Sequence, residues 1–298
     1  MIKKIVYEAA RLWIRYFPSR FGKDMAWEFV SWRVFNYEAT RTMFGATMAG
    51  NTKDTIQKHI YYFGTWEPHI SAFVSSRLKK GDYFIDIGAN IGYYSLLAST
   101  LIEKEGKVIA IEASPKVFEM LQRHIKINDF QNIKTICCAV SNKRDKLVIH
   151  HAEESNIGAT SVVHNFKQSF EPDMEVDAAP LGDILLNDEI SRARIIKIDV
   201  EGAEWLVIEG MESVFPKLRD DVEILLEVTP ETLEHFGKKF DDLLAVFTKF
   251  GFNAYTIRNE YKPDDYLYRV PFARPERLKG TPTKLIDLVF SREDKERL

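Results

Sequence analysis

A glycine-rich turn over residues 86–92 constrains the fold of this chain more than any other feature. The turn reads Asp-Ile-Gly-Ala-Asn-Ile-Gly and joins a predicted strand over Tyr83–Ile87 to a predicted helix over Gly92–Ile102. Glycines at such a turn let the main chain approach a ligand closely at the start of a helix. From this point short apolar runs alternate with helical segments, which predicts βαβ units around a parallel sheet.

The alternation predicts seven strands, over Tyr83–Ile87, Lys107–Glu112, Asn132–Val140, Arg194–Asp199, Val222–Val228, Phe252–Ile257 and Lys284–Phe290. An insertion over residues 141–193 separates the third strand from the fourth. Its alternating stretches at 146–151, 159–163 and 175–178 predict short antiparallel strands above the carboxyl edge of the sheet.

Residues 1–80 are predicted to form a helical N-terminal segment or lid, and residues 81–298 the α/β domain that carries the insertion. Helices are expected over residues 1–17, 24–39, 52–63 and 66–80, with a turn-rich break at 45–51. The first helix is amphipathic, because its apolar side chains recur at helical spacing while the opposite face carries Lys3, Lys4, Arg11 and Arg15.

Charge is unevenly distributed along the chain. Residues 1–80 hold 13 Lys and Arg against 6 Asp and Glu, although the whole chain has a net charge of −3. The overall balance argues against a nucleic-acid-binding protein. We expect the apolar face of the first helix to pack on its own domain or on a partner subunit. Contact of residues 1–17 with an anionic membrane is the alternative, and a homo-oligomer that uses the aromatic residues at 27–37 also stays open.

The cysteines indicate a reducing compartment. The chain has only two, the adjacent Cys137 and Cys138, which excludes a disulfide framework. Both are expected on a strand as small core residues. The sequence shows no signal peptide and no charge-free stretch of the length that a bilayer requires. We therefore predict a cytoplasmic protein.

The turn and a carboxylate beyond it indicate the class of ligand. Glu112 ends the next strand, where a carboxylate suits the two hydroxyls of a ribose. Nicotinamide and flavin binders carry a second glycine that cradles a pyrophosphate, but Asn90 stands at that position here. Asp86 would repel a pyrophosphate and attract an ammonium group. The pattern favours S-adenosylmethionine over a dinucleotide, and a turn without a ligand is the remaining alternative.

Charged residues also cluster after the strand predicted over Arg194–Asp199. Asp199 and Glu201 project to the same side if the chain stays extended, at the edge where open α/β sheets bind ligands. Glu201 and Glu204 equally suit a structural role at the N-terminus of the following helix. Asp199 suits that role least, because it ends the strand. Lys197 fits a structural ion pair and a functional role equally well.

In order and spacing these segments resemble the FkbM family of S-adenosylmethionine-dependent methyltransferases. The resemblance covers about residues 60–230 and rests on the segments 81–95, 110–115, 139–141 and 196–204. It implies the class I methyltransferase fold. This is a Rossmann-like, mostly parallel sheet of seven strands with helices on both faces and the last strand antiparallel.

The resemblance also implies a cofactor site made of Glu67, Asp86, Gly88, Asn90, Gly92, Glu112, Ala113, Ala139, Val140 and Ser141. The last three residues would flank the adenine, and Glu67 would close over the methionine end. Asn156-Ile157-Gly158 would match an Asn-x-Gly piece of the family's insertion. Two positions depart from the family. Ala113 replaces a proline, and the run at 180–183 reads Pro-Leu-Gly-Asp instead of Thr-Leu-Asp-Asp, which removes one carboxylate.

Family members mostly methylate hydroxyl oxygens, so we predict O-methylation of a small molecule, a sugar or a lipid-linked glycan. A non-catalytic S-adenosylmethionine-binding module is the alternative, and a nicotinamide-dependent oxidoreductase is less favoured. Asp199 is the predicted general base, with Glu201 second and His59 and His69 weaker. We predict no metal site, and a minority alternative places magnesium on Asp199, Glu201 and Glu227.

Overall fold

A mixed sheet of eight strands forms the centre of the computed structural model, which describes residues 2–151, 160–161, 174–268 and 272–298. With strands labelled in chain order, the spatial order is β13 (Glu276–Arg277), β12 (Asn253–Ile257), β14 (Ile286–Ser291), β11 (Glu223–Val228), β10 (Ala193–Ile198), β3 (Tyr83–Ile87), β4 (Lys107–Glu112) and β5 (Ile133–Cys137). Neighbours from β11 to β5 pair in parallel, and β14 runs antiparallel to β11 and β12.

The predicted mostly parallel sheet with an antiparallel last strand is confirmed. Its count of seven strands is one too low, because β13 adds a two-residue edge strand that is too short to show periodicity. The predicted strand over Asn132–Val140 ends at Cys137, and its last residues form a separate strand, β6 (Ala139–Val140).

Helices cover both faces of the sheet, which explains why the central strands are almost continuously apolar. In β10 the side chains of Ile195, Ile196 and Ile198 are fully buried, and Lys197 is the polar exception among them. The helices of this domain are α5 (Tyr93–Ile102), α6 (Pro115–Ile127), α7 (Leu181–Ile184), α8 (Asn187–Ser191), α9 (Glu204–Gly210), α10 (Pro230–Glu234), α11 (Phe240–Lys249) and α12 (Pro263–Leu267), with a 3-10 helix at Phe215–Lys217.

The N-terminal segment contains four helices and a β-hairpin. These elements are α1 (Ile2–Tyr16), α2 (Lys23–Val30), β1 (Asn36–Arg41), β2 (Thr47–Asn51), α3 (Thr55–Phe63) and α4 (Pro68–Arg77). The predicted helix over 24–39 is therefore wrong beyond Val30, and the break at 45–51 contains a strand. Contacts distant in sequence decide the difference: the Phe35 N–H donates to Thr52 Oγ1, and the Tyr37 hydroxyl donates to the Gln57 carbonyl.

The N-terminal segment shares its hydrophobic core with one face of the sheet. Tyr62 and Phe73 from the segment belong to the same buried cluster as Phe84 and Leu96. The first helix packs differently from the expectation, because it buries Ile14 and Arg15 and turns most of its apolar stripe outward. Among the described residues, no helix is long and apolar enough to cross a bilayer.

The insertion forms a second, small sheet in the order β6, β9 (Met174–Ala179), β7 (Asp145–His151) and β8 (Thr160–Ser161). Strand β7 is antiparallel to β8 and β9, as predicted, whereas β6 and β9 are parallel. The run Asn156-Ile157-Gly158 lies outside the described residues. Of the two cysteines, Cys137 is exposed at the end of the edge strand β5 and Cys138 is half-buried, so the expectation of two core residues is wrong.

Candidate active site

The turn over residues 86–92 has a backbone conformation that requires glycine. Gly88 and Gly92 have φ values of 79° and 91°, and Asn90 has 51°. A Cβ atom on Gly88 would lie 1.8 Å from the Asp199 carbonyl oxygen, which leaves no space for a side chain. The N–H groups of Gly88 and Ala89 both donate to the Ile111 carbonyl at 2.9 Å. The turn is therefore fixed between β4 and the end of β10.

Glu112 is held at the end of β4 by main-chain donors. Its Oε2 accepts from the Asn90 N–H at 2.8 Å, and its Oε1 accepts from the Ser114 N–H at 2.9 Å. Burial raises the pKa of this carboxyl to about 7, although both hydrogen bonds act in the opposite direction. A carboxyl held by the backbone beside a glycine turn has the position that a ribose-binding residue needs.

These residues line a cleft at the carboxyl ends of β3 and β4. Six of the predicted cofactor residues lie on its walls together with both acidic candidates: Gly88, Asn90, Glu112, Ala113, Ala139, Val140, Asp199 and Glu201. The insertion sheet covers the cleft through Leu147 and Ile149. Asp86, Gly92, Ser141 and Glu67 are not among the lining residues.

Asp86 lies directly behind the turn and is almost completely buried. Its Oδ2 accepts from the Ser95 hydroxyl at 2.6 Å, whereas its Oδ1 has no hydrogen-bond partner among the described residues. Burial raises the pKa of this carboxyl. A buried oxygen without a donor is suited to a cationic group such as the ammonium of a methionine moiety. The Gly88 turn and Glu112 line the cleft and make it suitable for S-adenosylmethionine, whereas Asp86 lies behind this wall.

Lys197 is the buried cation of the site. Its Nζ donates to Asp199 Oδ2 at 2.7 Å, and its position in β10 is opposite Asp86 in β3. Burial opposes the charge, but the carboxylates of Asp199, Asp86 and Glu67 raise the pKa of Lys197 above its ordinary value. Lys197 is therefore the shared counter-ion of several buried carboxylates.

Three further carboxylates form a smaller cavity beside the cleft, which we call the carboxylate chamber: Glu67, Glu227 and Asp287, with Lys197 and Asp199 in its wall. One carboxylate oxygen from each of the three lies within 4.8 Å of the others. Glu227 and Asp287 are directly paired across β11 and β14. Burial raises the pKa of all three carboxyls.

Tyr261 connects two of these carboxyls. Its hydroxyl oxygen lies 2.8 Å from Glu67 Oε1 and 3.0 Å from Glu227 Oε2. A phenol has only one proton to donate, so both contacts are hydrogen bonds only when one of the two carboxyls is itself protonated. Burial raises the pKa of both carboxyls, which favours a shared proton in this cluster.

The chamber contains two residues that the sequence analysis names. The resemblance implies that Glu67 closes over the methionine end, and in the structure its carboxylate lies in the chamber, where it accepts from the Tyr94 hydroxyl at 2.6 Å and from Asn259 Nδ2 at 2.9 Å. The minority magnesium set joins Glu227 to Asp199 and Glu201, whereas the structure groups it with Glu67 and Asp287. Sequence reasoning misses Asp287 and Tyr261. Asp287 is the one charged residue of β14, and this was the available signal.

Glu201 and Glu204 occupy different surroundings. The chain does not stay extended after Asp199, because Glu201 and Gly202 have φ values of 53° and 104°. Glu201 is exposed at the rim of the cleft. Partial desolvation of its carboxyl and the charges of Asp199 and Glu204 raise its pKa, although solvent screens these charges more than at a buried group. Glu204 is buried, accepts from the Gly202 N–H at 2.8 Å, and has a pKa raised by burial to about 7.

The two histidine candidates are packing residues. The ring of His59 contacts Trp66 and Tyr266, with centroids 5.4 and 4.7 Å apart, and burial lowers its pKa to about 4. His69 is buried, and its Nδ1 accepts from the Ala273 N–H at 3.3 Å. Neither residue lines the cleft.

Comparison with known proteins assigns the chain to a family. Residues 86–254 match the methyltransferase FkbM domain. Methyltransferase sdnD from Sordaria araneosa is 23% identical over 218 residues, which cover 64% of this chain and 81% of that protein. Methyltransferase 1 from Beauveria bassiana is 24% identical over 48% of this chain and 64% of its own length.

Solved structures with a similar chain path include methyltransferase FkbM from Methylobacillus flagellatus, with a TM-score of 0.41, 16% identity, and coverage of 78% of this chain and 52% of that chain. A SAM-dependent O-methyltransferase from Thermotoga maritima has a TM-score of 0.40, 13% identity, and coverage of 87% and 79%. The family domain matches more than half of this chain, and the sheet has the strand order described above. This chain therefore belongs to the FkbM family of class I, S-adenosylmethionine-dependent methyltransferases.

Proposed function

We propose that this enzyme methylates a hydroxyl oxygen of a small molecule, a sugar or a lipid-linked glycan, with Asp199 as the general base. One observation carries the proposal: Asp199 lines the cofactor cleft, the carboxylate chamber and a third small cavity that also includes Trp66 and Tyr94. A group at the junction of these spaces can reach an acceptor that enters from the side away from the adenine.

S-adenosylmethionine, when bound, supplies a methyl group on a positively charged sulfur. The acceptor hydroxyl must lose its proton as its oxygen attacks, and a positioned carboxylate can accept that proton. Lys197 holds one oxygen of Asp199 at 2.7 Å, which fixes the carboxylate and leaves its second oxygen to face an acceptor. Holding the two partners in line supplies much of the remaining rate enhancement.

The surroundings of Asp199 suit an acceptor with several hydroxyl groups. Carboxyl oxygens of Glu67, Glu227 and Asp287 lie close together and can accept hydrogen bonds from such groups. The rings of Trp66 and Tyr261, with centroids 5.4 Å apart, provide an apolar wall beside them. The free cysteines agree with a reducing compartment, so we also propose a cytoplasmic location.

N-methylation of an amine is a second candidate, because three clustered carboxylates attract a cation. We favour a neutral hydroxyl acceptor, since the Lys197 ammonium group in the wall of the chamber repels a second ammonium ion.

The test is product analysis. The enzyme is incubated with methyl-labelled S-adenosylmethionine and a panel of polyhydroxylated compounds, each paired with the analogue in which an amine replaces one hydroxyl. We expect label on oxygen, located by fragmentation in the mass spectrometer. Label found on nitrogen for the amine members alone would reverse the assignment.

A further inference from the structure

The first helix presents an apolar stripe to solvent. Ile5, Leu12 and Tyr16 lie on one helical face, because spacings of seven and four residues repeat at about the helical period. Their side chains are 62%, 48% and 55% exposed. An amphipathic helix on a globular protein normally turns such a stripe inward, so α1 is oriented in the opposite sense.

Polar contacts fix this orientation. Arg15 is only 5% exposed, and its guanidinium donates to the Arg41 carbonyl. Arg11 pairs with Glu8 at 2.7 Å and donates to Thr40 Oγ1 at 3.2 Å, and Glu8 accepts from the Tyr61 hydroxyl. Rotating the helix to bury its apolar stripe would break these bonds. The outward stripe is therefore part of the folded structure.

The second helix extends the apolar surface. Met25 and Phe29 are four residues apart and exposed, and Phe21 and Trp32 beside the helix are 77% and 63% exposed. Rings of Tyr7 and Phe29 in contact at 5.7 Å join the two helices. We call this set the N-terminal apolar surface: Ile5, Leu12, Tyr16, Phe21, Met25, Phe29 and Trp32. Exposed apolar surface of this kind marks an interaction site.

Charge identifies the occupant. Residues 1–34 contain seven Lys and Arg against three Asp and Glu, while the whole chain carries −3. Arg15 and Lys23 are buried and Arg11 pairs with Glu8. The remaining basic residues of this segment, Lys3, Lys4, Arg20 and Arg33, still outnumber its remaining acidic residues, Asp24 and Glu28. A second copy would bring the same positive charge to the contact, whereas anionic headgroups attract it. Aromatic and aliphatic side chains beside basic residues are typical of helices that lie in the membrane interface. We propose that α1 and α2 dock on the surface of an anionic phospholipid membrane, independently of which acceptor the enzyme methylates.

The test is flotation of the full-length protein with vesicles. Phosphatidylcholine vesicles that contain about one-quarter phosphatidylserine are compared with phosphatidylcholine alone. We expect binding to the anionic vesicles and release at high salt, because salt screens the attraction between the basic residues and the anionic headgroups. No binding to anionic vesicles, or equal binding to both kinds, overturns the proposal.

A double substitution, Leu12→Ser with Phe21→Ser, is expected to weaken vesicle binding about tenfold or more, since two apolar anchors are lost. Leu186→Ser, which replaces a leucine of the α/β domain that is 66% exposed against 48% for Leu12, is the control and should bind like the parent. Circular dichroism confirms that the variants fold. If light scattering shows a dimer that the double substitution dissociates while vesicles never bind, the surface belongs to a second copy and the proposal is wrong.

Discussion

The cofactor cleft and the carboxylate chamber meet at Asp199, but they are built in different ways. The cleft is shaped by the backbone: glycines with positive φ form its turn, and two N–H groups hold Glu112. The chamber is built from side chains, with three carboxylates brought together around Lys197 from the residue that precedes α4, from β11 and from β14. The comparison shows that the backbone can fix the shape of a site for one cofactor. The shape of the chamber beside it depends instead on the balance between buried carboxylates and Lys197.

The largest effect on stability is expected when the positive charge of Lys197 is removed from the chamber. Lys197→Met leaves several buried carboxylates without their counter-ion, and we expect a loss of about 3–5 kcal/mol in the free energy of unfolding. Denaturant unfolding followed by fluorescence measures it. Lys80→Met, which breaks exposed pairs with Glu103 and Glu105, is the control and should change the free energy of unfolding much less, because solvent screens these charges. If both substitutions lowered the free energy of unfolding equally, Lys197 would be no more important to stability than an exposed lysine, and the account of the chamber would be wrong.

The backbone character of the cleft is tested by Gly88→Ala. Gly81→Ala is a matched control, because Gly81 also has a positive φ of 85° but has no atom within 4 Å of the place that a Cβ would occupy. Both substitutions cost roughly 1–2 kcal/mol of backbone strain. Gly88→Ala adds a collision with the Asp199 carbonyl, for which we expect a further ~1–3 kcal/mol and lost binding of S-adenosylmethionine by calorimetry. Binding retained in Gly88→Ala would contradict the assigned cleft.

Stability should depend on pH through the buried carboxyls. The pKa of Glu112 and of Glu204 is raised by burial from 4.5 to about 7, so the folded state binds these protons more tightly than the unfolded chain. Their contribution is complete below about pH 4.5 and is lost as the pH rises through 7. We expect the free energy of unfolding of the cofactor-free protein to fall by about 1–3 kcal/mol over this range. Glu112→Gln should make this free energy depend less steeply on pH. A melting temperature that rises with pH over this window would contradict these shifts.

The smallest effect is expected from a chelator. Lys197 already provides a positive charge to the chamber, so we expect turnover to be unchanged after treatment with a chelating agent. Loss of activity that magnesium restores in the parent enzyme but not in Glu227→Gln would show instead that the carboxylates act as metal ligands.

The two regions also differ in how far the sequence predicts them. The turn, Glu112 and Asp199 each lie at the carboxyl end of a strand, so local pattern alone locates all three at one edge of the sheet. Glu67, Tyr261 and Asp287 are separated by long stretches of chain, and they meet only because β14 inserts between β11 and β12. The hairpin at 36–51 and the orientation of α1 escape prediction for the same reason, since distant partners such as Thr52 and Tyr61 decide them.

The central claim is that Asp199 serves the acceptor and not the cofactor. The most direct measurement combines calorimetric titration with S-adenosylmethionine and single-turnover kinetics on Asp199→Asn, with Glu201→Gln beside it. We predict nearly unchanged cofactor affinity and a rate lower by about 10²–10⁴ for Asp199→Asn, with a smaller loss for Glu201→Gln. An unchanged rate in Asp199→Asn, or a rate that falls only in proportion to lost cofactor binding, would contradict the account.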